Sequence, residues 1–137
     1  MAKSTRTRTL LLTLLLASHA GITEAQKKGY LPESPTANEM RALPPYCEAR
    51  MKGDAAAKKS WSQQMGPEIF MHVHHYCAGI NFMNRSRVEM APQKKNYYLQ
   101  RASANFAYVI SAWPPGHPLT AKAKSFKAQV ESMRSMH

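Results

Sequence analysis

The chain has 137 residues, a formal charge of +11 and two cysteines. That length suits one small domain with a sufficient but not generous core. In a cytosolic protein the charge would point to nucleic acid, so the compartment decides how it is read.

The first 25 residues address the compartment. Lys3, Arg6 and Arg8 make a basic start, residues 10–20 are an apolar run, and Ala20 and Ala25 are small residues of the kind a signal peptidase reads. This is the layout of a secretory signal peptide over residues 1–25. The apolar run falls short of the roughly 20 residues that a spanning helix needs, and no cysteine near the cut offers a lipid attachment point. Cleavage, rather than retention as a short anchor, is the expectation. The mature chain would then begin near Gln26 and keep 112 residues; losing Lys3, Arg6, Arg8 and Glu24 leaves a charge of +9. In the periplasm or outside the cell, the counterparts of that charge are an acidic protein face or an anionic envelope surface, not nucleic acid. The lysines occur in scattered pairs, which equally suits a solvated surface.

Residues 26–37, with Gly29, Pro32 and Pro35 among polar residues, read as a flexible leader. A single helical domain is expected over residues 38–137. Pro44-Pro45 opens a short helix over 45–51, because proline is tolerated in a first turn. Asp54 is an N-cap for a stretch through Met65, and Gly66-Pro67 ends that element and starts another. Residues 68–88 form the longest helical candidate, with Ile69, Val73, Tyr76 or Cys77, Ile80 and Met83 or Asn84 at three- and four-residue steps. Ala91-Pro92 breaks it. A second strong helix over 94–113 puts Tyr98, Ala102, Phe106, Val109 and Trp113 on one face, and Pro114-Pro115-Gly116 stops it. A weaker helix covers 119–133. No segment alternates with period two, so the fold class is all-α.

Cys47 and Cys77 form an even pair, which in an oxidising compartment reads as a disulfide. Closing a loop of about 30 residues is worth roughly 3 kcal/mol. The bond would staple the helix at 45–51 to the middle of the helix at 68–88.

Ala102, Phe106, Val109 and Pro114 form a small–aromatic–small–proline series, with His75, Gly79 and Phe82 upstream as large, small and aromatic residues. The series resembles the helical hairpin of a tetratricopeptide repeat, and the chain resembles a bacterial cell-envelope protein of that type. In that arrangement a glycine or alanine lets two antiparallel helices approach, the aromatic fills their groove, and the proline turns the chain. Gly79 and Ala102 are 23 apart, so residues 85–95 are expected as an insertion between the helices. The resemblance implies a non-catalytic adaptor that holds a protein or peptide, not an enzyme. Arg85, Arg87, Lys94, Lys95 and Arg101 would present a basic rim to that partner.

His72, His74, His75 and Cys77 supply the only chemistry in view. Helical spacing sets His72 with His75, and His74 with Cys77, close enough to share a metal, and nine methionines favour copper. A cysteine in a disulfide cannot ligate, however, and the methionines form no tight repeat. The histidines therefore read either as packing and hydrogen-bonding groups, with no cofactor, or as a copper-type site. The chain has no Cys-x-x-Cys-His and no His-Glu-x-x-His. The mature carboxylates are dispersed, so no pair is set up for acid–base work.

Overall fold

The computed structural model describes residues 29–136, and the expected signal segment over 1–25 lies outside them. The described residues fold into six helices: α1 (Ala37–Arg41), α2 (Pro45–Lys52), α3 (Ala55–Met65), α4 (Pro67–Val88), α5 (Pro92–Ala112) and α6 (Pro118–Ser135). The fold is all-α with one disulfide.

Helix boundaries follow local chemistry. Proline occupies the first turn of α2, α4, α5 and α6, where its missing N–H would have no intrahelical partner. Asp54 caps α3 by accepting from the N–H of Ala57 at 2.8 Å. Gly66 joins α3 to α4 at φ +90°, a conformation that side chains disfavour. His117 caps α6, its Nδ1 accepting from the N–H of Leu119 at 3.2 Å. Helix α1 was not anticipated. Its signal is the capping box of Thr36 and Glu39, in which each side chain takes the other's backbone N–H.

Helices α4 and α5 form the central antiparallel hairpin. Tyr76 meets Trp113 and Phe106, while Phe82 further along α4 meets Tyr98 earlier in α5. A Cβ on Gly79 would lie 2.7 Å from the Phe106 ring, so the aromatic sits where a side chain would otherwise be. Helix α6 returns along α5 and adds Phe126 to the stack of Tyr76 and Phe106. Thr120 and Ala123, three residues apart, and Val130, a further seven along, are its buried residues. Thr120 Oγ1 donates to the Pro114 carbonyl at 2.8 Å and fixes the α5–α6 corner.

The expected insertion at 85–95 is absent as a loop. Arg85 and Ser86 are buried within α4 and only residues 89–91 separate the two helices. The extra residues lengthen the helices, because the core stripe of α4 continues past Phe82.

Cys47 of α2 and Cys77 of α4 are bonded, with Cα atoms 5.7 Å apart and no solvent exposure. The bond staples the small N-terminal helices to the hairpin. Arg50 adds to the same seam, donating Nε to the Phe70 carbonyl at 3.1 Å. Helix α3 buries no residue fully and packs through Trp61 edge-on to Tyr46.

Two outcomes follow from this packing. Gly79→Ala pushes Phe106 out of place and lowers unfolding stability by about 1–3 kcal/mol, whereas Gly116→Ala, with no atom near its added Cβ, stays within about 0.5 kcal/mol of wild type in the same chemical melt. Reduction of the disulfide lowers stability by roughly 3 kcal/mol. A melt in the presence and absence of dithiothreitol measures it; equal midpoints would show that the staple carries no load.

Candidate binding groove

Arg85 sits on the core stripe of α4, three residues after Phe82, and is only 4% exposed. A buried guanidinium needs partners, and it has them. Nε donates to Glu39 Oε1 at 2.7 Å and Nη2 to Glu39 Oε2 at 2.9 Å. Nη1 donates to the Pro32 carbonyl at 2.6 Å, and Nη2 also reaches the Ser34 carbonyl at 3.3 Å. The cation lies over the Phe82 and Tyr98 rings, 5.3 and 5.8 Å from their centroids. The bond to Arg85, opposed by burial and helped by the Thr36 N–H, lowers the Glu39 carboxyl to about 2.

Residues 29–36, part of the leader expected over 26–37, run across the hairpin beside this clasp. Pro35 is buried, and Tyr30 stacks on Tyr97 with centroids 4.2 Å apart. The N–H of Leu31 donates to the hydroxyl of Tyr98 at 3.3 Å.

Where this segment crosses the hairpin it walls a groove of about 480 Å³. Gly29 and Leu31 form one side and Ala42, just after α1, another, with Asn81, Val88 and Tyr98 from the hairpin. Asn81 is 1% exposed, and its Nδ2 has no partner among the described residues. Lys94 lines the mouth.

The five expected rim cations divide. Arg87 is exposed, donating Nη1 to Asn84 Oδ1 at 3.2 Å, and Lys94 and Lys95 are half-buried at the start of α5. Among the described residues, these three make no ion pair. Arg85 lines the groove together with Glu39, but it is buried there, with Glu39 and two carbonyls taking its donors, so it is not an exposed cation. Arg101 does not line this groove: it pairs with the exposed Glu33, lies over Phe82, 5.8 Å from its centroid, and borders a separate recess beside His74 and His75. Sequence reading missed Leu31, Ala42 and Asn81, which come together only through the clasp.

The histidines hydrogen-bond to different groups, although their rings are neighbours: the His74 ring lies 4.3 Å from that of His75, and His72 and His75 both pack on Tyr108. His72 Nδ1 meets the hydroxyl of Tyr108 at 3.1 Å, and His75 Nδ1 meets Asn105 Oδ1 at 3.0 Å. His74 Nδ1 lies 3.2 Å from the Met71 carbonyl, which can only accept, so that nitrogen carries the proton. Burial first, then the neighbouring His75 and Arg50, lower the pKa of His74. Cys77 is held in the disulfide. Among the described residues, no group of three or more His, Cys, Asp or Glu side chains is arranged to hold a metal ion. No helix among them is long and apolar enough to cross a membrane.

No protein-family model, curated protein or solved structure matches this chain.

The clasp predicts a pH dependence. The folded Glu39 value of about 2 lies below the ordinary 4.5, so its stabilisation is complete above the ordinary value and fades as pH falls toward 2. The whole effect is on the order of 3 kcal/mol. Glu39→Gln lowers stability at neutral pH and flattens the acid limb of a stability-versus-pH curve; an unaltered acid limb would show that the clasp is not titrating.

Proposed function

We propose that the protein is an exported, non-catalytic binding domain built on a tetratricopeptide-like hairpin, and that it holds a segment of a protein or peptide partner. The observation that carries this reading is the groove at the α4–α5 end, with apolar walls from Leu31, Ala42, Val88 and Tyr98 and with Lys94 at its mouth. Concave, mostly apolar sites with a few polar groups are the usual form of a binding site. Arg87 and Lys95 lie close by in sequence and suit acidic residues flanking an apolar anchor on the partner.

The carboxylates support a binding role over catalysis. Glu39 is held by Arg85, Glu33 by Arg101, and Glu131 by Ser103, Lys127 and Arg134. Asp54 and Glu89 accept backbone N–H groups at or just before helix starts. Glu48 and Glu68 stand in first helical turns, where the helix dipole favours them. Each of the seven thus has a structural use. A buried disulfide is compatible with the oxidising compartment that export would provide.

The test is capture of a partner from the exported fraction, with affinity then measured on the purified pair. Ala42→Arg, at an exposed position of the groove wall, should weaken binding at least about tenfold, the equivalent of losing one buried apolar side chain. Paired charge reversal at Lys94 and Lys95 should weaken it too, as should added salt. His72→Ala with His75→Ala should leave it intact. Full affinity in Ala42→Arg, or loss of both affinity and a copurifying metal in the histidine variant, would contradict the groove and favour the metal site.

A further inference from the structure

Six large hydrophobic residues are exposed among the described residues, and three of them (Leu31, Val88 and Met90) belong to one end of the molecule. The two most exposed are Val88 at 79%, the last residue of α4, and Met90 at 90%, on the turn that joins α4 to α5. Ala91 and Pro92 beside them are exposed as well. Single exposed apolar residues are ordinary, but this is a set gathered at the tip of a hairpin. Met90 does not line the groove, so a segment held there leaves it uncovered.

The charges around the tip have one sign in excess. Arg87 precedes it, and Lys94 and Lys95 follow within one turn of α5. The acid on the turn itself, Glu89, accepts from the N–H of Ala91 at 2.9 Å. Glu39, the acid facing this end from α1, is taken by Arg85. A protruding apolar pair with a basic collar matches the boundary of an anionic bilayer, where acyl chains accept the apolar tips and headgroups meet the cations.

We propose that the α4–α5 turn docks on an anionic lipid surface, with Val88 and Met90 entering the interface and Arg87, Lys94 and Lys95 at headgroup level. Docking of this kind sets the groove beside the membrane. Val88 and Lys94 also line the groove, so a segment held there and the lipid surface share those two residues, while Met90 belongs to the tip alone.

The protein to use is residues 26–137, which contain all six helices and both cysteines, made in an oxidising compartment. Removing residues 1–25 takes the apolar run at 10–20 out of the assay. Sedimentation with vesicles of phosphatidylcholine alone, or mixed with phosphatidylglycerol, reads binding. The protein should sediment with the mixed vesicles and not the neutral ones, and should be released when salt reaches about 1 M, where screening acts within about 3 Å. Met90→Asp should cut binding at least tenfold with an unchanged melting curve, while Ala42→Arg should leave vesicle binding intact. Met90→Trp should add tryptophan emission that shifts to the blue and is quenched by brominated acyl chains. Anionic binding that survives Met90→Asp, or tryptophan emission that vesicles leave unshifted, would overturn insertion. So would failure to sediment, or a tip that engages only acidic polysaccharide or a protein.

Discussion

Where α4 crosses α5, a ring occupies the space that a side chain would need. Gly79 leaves that space empty and Phe106 fills it, which sets how closely the two helices approach. Interiors pack as tightly as organic crystals, so this spacing propagates. It brings Tyr76 against Trp113 on one side and Phe82 against Tyr98 on the other, and it lets Phe126 of α6 complete the aromatic centre. The disulfide then fixes the small N-terminal helices to the same α4 surface. A chain this small gains from that staple, because its core alone is not generous.

Arg85 depends on the same pairing and turns it into a site. The residue continues the buried stripe of α4, where an apolar side chain would pack without further help. Burying a charge is costly unless it is paired and hydrogen-bonded. Here Glu39 supplies the counter-charge, and carbonyls of Pro32 and Ser34 take remaining donors. Those partners lie 46 to 53 residues away in sequence, so the cation draws the N-terminal segment across the hairpin and makes it a wall of the groove. Removing either partner would strand a charge and loosen that wall, linking stability to the shape of the candidate site.

Most of the helical layout was legible because proline and glycine punctuate it. Pro67, Pro92 and Pro118 start helices, while Gly66 and Pro114-Pro115-Gly116 end them. The inward faces of α4 and α5 followed from spacing, and the cysteine pairing from number and compartment. The course of residues 29–36 was not legible, because their order comes from a guanidinium on a distant helix. Arg85 counted as a surface cation by residue type, although its place in register with Phe82 marked it as buried. Spacing also set the histidines near one another but did not show their neighbours: His74 lies against His75, His72 and His75 both pack on Tyr108, and Cys77 is taken by the disulfide. Helical register fixes which face a side chain leaves from, not which neighbour it then meets.

The central claim is that the α4–α5 end, completed by the Arg85 clasp, is the surface that meets a partner. A photoactivatable amino acid placed singly at Leu31, Ala42, Tyr108 and Met136 tests it in cells that make the protein. All four positions are exposed, and only the first two border the groove. Adducts should form from positions 31 and 42, and disappear from both when Arg85→Met releases the wall. Adducts concentrated at positions 108 or 136, or formed equally from all four, would contradict it.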